Sequence, residues 1–356
     1  MALTTVSSDR LSTNVKNTNF TAAEKQDLTD DILPLAGQLG NRNLIINGAA
    51  QVNQRGSQTG ITSSTYSVDR FRVAISAGGT WSFTQSTDSP DGFGNSVKLD
   101  CTASAASPGL VLIQQRIEGQ NLQAFEKGTS TAKQFAVSFY VKTNKSGVYT
   151  VELKDDDNNR TVSKTITVSD ANWNRYTLIF PADTTGAFGN DTGGSLYLSI
   201  WLAVTANSTY TNGTFSDGTW AALVNGNRVS NSNVNLADST SNEFLLTGVQ
   251  LEVGSVVTDF EHRSFAEELA LCQRYYAKGR NRLTFNGVSG RYNFTTIGRH
   301  NMRAAPTVTG SFASQGMGAV EGYGSDSTND LRQIYVQTTV GNGLDGTITY
   351  EANAEL

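Results

Sequence analysis

The 356-residue chain carries 27 Lys and Arg against 32 Asp and Glu, a formal net charge of -5. That balance argues against a nucleic-acid partner, because a phosphate-binding surface needs a basic face to release counterions. No apolar run approaches the ~20 residues of a membrane span, and the opening "MALTTVSSDRLSTNVKNTNF" lacks a basic region followed by an apolar core, so neither membrane insertion nor a secretory leader is expected and synthesis in a cytoplasm is.

Charged residues make up only 17% of the chain, and 34 glycines stand against 5 prolines. With abundant Ser, Thr and Asn, this composition suits many short strands joined by tight turns. The first forty residues differ. In "TAAEKQDLTDDIL", Thr21 and Glu24 have capping-box spacing, and Leu28, Ile32 and Leu33 fall on one side of a short helix that Pro34 ends. So sparse a stripe buries little alone, and the helix is expected to be ordered by docking onto something else.

From "NLIING" onward, period-two alternation dominates. "YSVDRFRVAIS" places Tyr66, Val68, Phe71, Val73 and Ile75 close to one face, with a slip near Asp69 that predicts a bulge or a short break. Strand-like runs follow, among them "GTWSFTQS", "NSVKLDCTA", "QFAVSFYVKT", "SLYLSIWLAV" and "FLLTGVQLEVG", bounded by turn signals such as "DSPDGFGN" and "DDDNN". A long series of this kind without intervening helices predicts a β-sandwich, most simply a jelly roll.

One helix breaks the pattern. Ser264 and Glu267 form a second capping-box pair, and Phe265, Leu269, Cys272 and Tyr276 recur at helical spacing before Gly279, a plausible terminator. We read it as a connector whose apolar stripe packs on the sandwich or on copies of itself. After it, short alternating strands resume in a unit of roughly eighty residues, within the range of a small domain. Its thin apolar content favours burial against identical neighbours in a cyclic homo-oligomer. Cys101 and Cys272 lie far apart without metal-ligand spacing and read as free, buried thiols.

Several long segments carry a resemblance: "NRNLIINGAAQVNQRG", "SVDRFRV", "IQQRIEGQNLQAFEKGTSTAKQFAVSFYVKTNKSGVYTVEL" and "LTGVQLEVGSVVTDFEHRSFAEELALCQRYY". In this order, over roughly residues 43 to 276, the chain resembles a family of structural proteins of tailed bacteriophages, common in phages of cyanobacteria and other marine bacteria and known as tail fibre or virion structural proteins. The closing "MRAAPTVTGS" and "YEANAEL" also resemble that family's C-terminal β domain. The resemblance implies a galactose-binding-like jelly roll displayed on the virion, commonly as a homotrimer, with the N-terminus facing the particle.

Candidate sites are few. His262 and His300 have no second histidine at ligand spacing, and no "GxSxG" elbow appears, so no zinc site or triad is read. Asp155, Asp156 and Asp157 sit in a turn, where solvated turn chemistry competes with a calcium site or half of a glycosidase acid pair. Of Trp81, Trp173, Trp201 and Trp220, the last, flanked by loop residues in "FSDGTWAALVNGN", is expected to be the exposed sugar-stacking candidate. Tyr323, in the Gly- and Ser-rich "ASQGMGAVEGYGSDSTND", is a candidate receptor contact on a loop.

The expected protein is thus all-β: an N-terminal virion-anchoring segment (1–40), a jelly roll (41–262), a connector helix (263–279) and a smaller C-terminal β domain (280–356). It is expected to be a non-enzymatic virion protein without catalytic residues, metal or cofactor, a homotrimeric tail fibre that contributes to host attachment. Leu28 and Ile32 would dock it on tail adaptor or nozzle proteins, and Phe265, Leu269, Cys272 and Tyr276 would pack the connector. The alternatives are a carbohydrate-binding capsid-decoration protein, whose partner is host surface polysaccharide, and a polysaccharide depolymerase.

Overall fold

The computed structural model describes residues 42–285, 292–314, 320–325, 330–338 and 344–356. The expected anchoring segment, with Leu28 and Ile32, lies outside them. Residues Asn43–Leu356 form one compact unit.

Its larger part is a jelly-roll β-sandwich. One sheet has six strands, in the order β1 (Gln58–Ile61), β4 (Thr80–Ser86), β5 (Ser96–Ala103), β13 (Glu243–Val253), β7 (Phe135–Thr143) and β10 (Asn174–Phe180). The other has seven, in the order β12 (Ala221–Ala222), β9 (Arg160–Val168), β8 (Gly147–Asp155), β11 (Gly194–Ala203), β6 (Leu110–Glu118), β3 (Arg72–Ser76) and β2 (Thr65–Tyr66). The strand pairs within both sheets are antiparallel. Alternation decides which side chains meet between them. In β7, Phe135, Val137, Phe139 and Val141 are fully buried in the main core, as are Val151 and Leu153 of β8 and Leu99 of β5.

The slip at Asp69 is a break. β2 ends at Tyr66, and the chain turns through Arg70, at a φ of 70°, before β3 starts at Arg72. "NLIING", expected as a strand, is instead a turn that Asn47 closes: its side-chain amide donates to the carbonyls of Val52 and Asp69, and its carbonyl accepts from the Val52 amide. A bulge in β13 at Gly248, with a φ of 61°, clears space for two rings, since a Cβ there would lie 2.8 Å from both Phe93 and Tyr140.

The connector helix α1 runs over Phe265–Gln273. Its capping box is formed as the spacing predicts: the Ser264 hydroxyl accepts from the Glu267 amide at 3.3 Å, and Glu267 accepts from the Ser264 amide at 3.0 Å. The helix is shorter than expected and its buried face is shifted. Cys272 is buried and Leu269 half-buried, but Phe265, in the first turn, is 57% exposed. The inward position beside Cys272 belongs to Glu268, which accepts the Asn47 amide at 2.5 Å. Tyr276 is buried too, yet it opens a strand rather than closing the helix.

That strand, β14 (Tyr276–Phe285), pairs with β19 (Leu344–Asn353), which pairs in turn with β16 (Thr307–Ser314). Gly279, expected to end the helix, instead faces Tyr350 across β14 and β19, where a Cβ would strike the phenol ring at 2.7 Å. A further three-stranded sheet comprises β15 (Tyr292–Asn301), β18 (Asp330–Thr338) and β17 (Val320–Ser325).

A buried carboxylate fixes where this second half meets the sandwich. Glu118, at the end of β6 and fully buried, accepts both forks of Arg274 at 2.8 and 2.6 Å and the hydroxyl of Tyr275. Burial pushes its carboxyl up, but the bonds from Arg274 and Tyr275 outweigh that and hold it below the ordinary 4.5. Arg70 stacks on the Tyr275 ring and pairs with Glu355, which also takes Arg55 at 3.1 Å.

A group so depressed stabilises the fold above its unfolded pKa and loses that contribution as pH falls through the folded one. Urea unfolding midpoints should therefore decline below pH 4.5. Glu118→Ala, which strands Arg274 and a buried tyrosine hydroxyl, should cost roughly 3 kcal/mol at neutral pH. A midpoint unchanged by the substitution would remove Glu118 from this role.

Candidate functional site

A small space lies among core side chains. The space beside Phe71, Ile113, Gln115 and Leu246 measures about 10 Å³, enough for no more than a water molecule.

On the six-stranded sheet, β7 turns Tyr140 and Lys142 outward, opposite to its buried phenylalanines. In the neighbouring β10, Arg175 stands across from Tyr140, and Trp173 lies one residue before the Asn174–Val141 pair. The loop between β4 and β5 folds over this corner. Its Asp88 accepts the Trp173 indole N–H at 2.9 Å on one oxygen and the Lys142 ammonium at 2.7 Å on the other. Those two bonds, Lys142 first, hold the Asp88 carboxyl below the usual range. Phe93 of the same loop packs its ring 5.3 Å from Tyr140, 5.0 Å from Phe260 and 5.2 Å from His262. Arg175 donates to the Thr258 carbonyl at 2.5 Å.

The result is an outer strip in which a partly exposed indole is fixed at its N–H by Asp88, next to strand positions that carry Tyr140, Lys142 and Arg175. A tryptophan with one polar handle tied down and an apolar face open can stack on the apolar face of a pyranose while neighbouring charges bond its hydroxyls.

Sequence reasoning chose a different tryptophan. Trp220, expected to be exposed, is only 9% accessible. Its N–H donates to the Pro181 carbonyl at 2.8 Å, and its ring lies 5.6 Å from Phe135 in the main core. The flanking loop residues suggested exposure, but this segment folds back onto the sandwich edge, where Ala221 and Ala222 add β12 to β9. Trp81 and Trp201 are fully buried, which leaves Trp173 as the accessible one of the four. Trp201 packs on the outer face of its sheet, in a second small cluster with Ala74, Leu112, Val204 and Val229. Tyr323 is not on a loop: its backbone belongs to β17 and pairs with Val336. The His262 ring packs against those of Phe93 and Phe260.

The "KDDDNN" acids are also placed differently from expectation. Asp155 is fully buried, and its carboxylate meets the Lys127 ammonium at 2.6 Å. Lys127, from the turn before β7, is ringed by oxygens: Asp155, Asp183 at 3.0 Å, and the carbonyls of Thr185 and Gly186 at 2.8 and 2.7 Å. Arg160 holds Asp183 from the other side at 2.7 and 3.0 Å. Asp156 is taken by Lys154 and by the Tyr197 hydroxyl, and Asp157 by the Gly189 amide. The three adjacent acids thus diverge to separate partners, Asp155 from the end of β8 and Asp156 and Asp157 from the turn that follows it. Among the described residues, no group of three His, Cys, Asp or Glu side chains gathers to hold a metal. Cys101 and Cys272 are buried free thiols, and burial pushes Cys272 well above its ordinary value.

No protein-family profile matches the chain, and no curated protein matches it. Solved structures similar to it include a family 16 carbohydrate-binding module, at 11% identity and a TM-score of 0.26, over 48% of this chain and 84% of that one. A family 11 carbohydrate-binding module from Clostridium thermocellum, in complex with a β-1,3-1,4-mixed-linked tetrasaccharide, is similar at 12% identity and a TM-score of 0.28, over 58% and 98%. So is a cyclase from Fischerella sp. TAU, at 12% identity and a TM-score of 0.32, over 61% and 98%.

The two tryptophans should separate in stability measurements. Trp220→Ala opens a cavity in the core and should lower unfolding free energy by about 3–5 kcal/mol. Trp173→Ala removes a half-exposed ring and should move it by less than about 1 kcal/mol. Equal losses would mean that the Trp173 ring belongs to the core.

Proposed function

We propose that this chain is a non-enzymatic virion protein of a tailed phage, a trimeric fibre of the tail, whose sandwich binds host surface polysaccharide through the outer face bearing Trp173. The observation that carries the binding role is the accessible indole tethered by Asp88, itself held by Lys142. The placement on a virion is supported by the ordered sequence segments described above. Several acids that could have served hydrolysis are committed elsewhere: Asp155 and Asp183 to Lys127, Glu152 to Arg228, and Glu118 to Arg274. A shallow strip of this kind gives weak single contacts. Three per fibre and several fibres per particle would raise avidity well above the single-site affinity.

Binding of host surface polysaccharide, followed by calorimetry, should weaken at least about tenfold in Trp173→Ala, a loss of about 1.4 kcal/mol, with the unfolding curve retained. Undiminished binding in that variant would remove this face from the role. Gold-labelled antibodies against residues 280–356 should mark the tail of intact particles; label over the capsid would make the chain a decoration protein, and absence of label would overturn the virion placement.

A further inference from the structure

A primary amine and two carboxyl groups meet in the interior, each from a different part of the chain. Lys127 lies in the turn before β7, Asp155 at the end of β8 and Asp183 in the segment after β10. Asp155 continues the inward set of β8, after Tyr149, Val151 and Leu153, and so places a carboxyl at a core position. The Lys127 side chain is 1% exposed, that of Asp155 0% and that of Asp183 3%. Its Nζ stands 2.6 Å from Asp155 Oδ2 and 3.0 Å from Asp183 Oδ2, and the Phe188 and Trp220 ring centroids lie 5.2 and 5.5 Å from it. Because β7 and β8 belong to different sheets, the contact ties one sheet to the other.

The acceptors around Nζ outnumber the hydrogens it can offer. With the Thr185 and Gly186 carbonyls at 2.8 and 2.7 Å, four oxygens surround a group that has three hydrogens as an ammonium and two as an amine. Moving one proton from Lys127 to Asp155 replaces two buried charges by two neutral groups, which burial favours. The two carbonyls then keep both remaining N–H bonds, and the nitrogen lone pair is free to act on a carboxylic acid. Asp155 is held for attack. Its Oδ1 accepts the Asn158 backbone amide at 3.1 Å and the Asn158 side-chain amide at 3.3 Å. Donors fixed on that oxygen stabilise the charge it gains when the carbon is attacked. Burial raises the Asp183 carboxyl, but the bonds from Arg160 and Lys127 hold it below its ordinary value, so it is ionised and able to take a proton.

We propose that Lys127 and Asp155 condense in the folded chain to an intramolecular amide, with Asp183 as the proton carrier. Nζ passes one proton to Asp155 Oδ2 and attacks Cγ, forming the N–C bond. The attacking nitrogen then gives a second proton to Asp183, which returns it to the Oδ2 hydroxyl; the Cγ–Oδ2 bond breaks and water leaves. An ammonium and a carboxylate become one amide and one water, nothing is oxidised or reduced, and Asp183 ends as it began. The ion pair described above is the state that precedes the bond. The link closes the chain from Lys127 to Asp155 into a covalent loop that joins both sheets. It uses no residue of the Trp173 strip and does not rest on the polysaccharide reading.

The test is the mass of the whole purified chain, read under denaturing conditions and followed by tryptic digestion. The mass should fall below that of the sequence by one water. Trypsin, which needs a free cationic side chain, should leave the chain uncut after Lys127 and release one branched peptide containing both Lys127 and Asp155. Lys127→Arg keeps the charge but not the amine, and it should show its full mass whether or not it folds. Asp183→Asn, whose amide cannot carry the proton, should retain the water in most chains. A parent chain at full mass, a water lost at another position, or a water lost equally in Lys127→Arg overturns the proposal. Complete condensation in a folded Asp183→Asn chain overturns the part given to Asp183.

Discussion

Glu118 is the charge on which the second half of the molecule depends. A carboxylate taken fully out of water is tolerated only where its lone pairs are met, and here they are met by Arg274 and Tyr275, the residues that immediately follow α1. The end of β6 therefore sets the height at which the chain leaves the helix and enters β14. From there the constraint spreads: Arg70 rests on Tyr275, Glu355 bridges Arg70 and Arg55, and Ala354 donates to the Tyr275 carbonyl at 2.8 Å.

The sandwich has two outer surfaces of contrasting character. One offers an indole, a phenol and a phenylalanine edged by Lys142 and Arg175, and it follows from the outward positions of β7 and from the loop that carries Asp88 and Phe93. The other is a ladder of polar side chains where nearly every acid already has a cation. The difference begins with register, to which the loop carrying Asp88 and Phe93 adds. Alternate residues of the same strands fill the core, so any residue available to a partner has to come from the complementary set.

How much of this was legible in the sequence depends on how local the cause was. Ser264 and Glu267 are three residues apart and meet within one turn, so their box was readable. The alternation of β7 was readable for the same reason, as was the break at Asp69. The all-β sandwich followed from the accumulation of such signals. Trp220 was not readable as buried, because its partners, Phe135 and the Pro181 carbonyl, come from distant parts of the chain and its immediate neighbours are typical of a loop. Trp173 gave no local sign of its setting, since Asp88 is brought to it by a loop distant in sequence. Of the stripe read through Phe265 and Tyr276, Phe265 is exposed in the first turn and Tyr276 is buried but lies beyond the helix, because Tyr275 is drawn away to Glu118. Lys127 carried no motif at all, for two of its four oxygens are backbone carbonyls that any sequence could supply.

That lysine has an environmental consequence. Two carboxylates and two carbonyls closing on a small cation make the kind of oxygen cage that a dissolved ion could fill, but here the cation is covalently part of the chain. The fastening of the segment around Asp183 to the β8–β9 hairpin thus has no dissociation equilibrium with the medium. It does not loosen on dilution, in the presence of chelators or under reducing conditions, and neither cysteine is engaged in a bond that such conditions could break. The junction therefore holds alike in media of very different ion content and redox state.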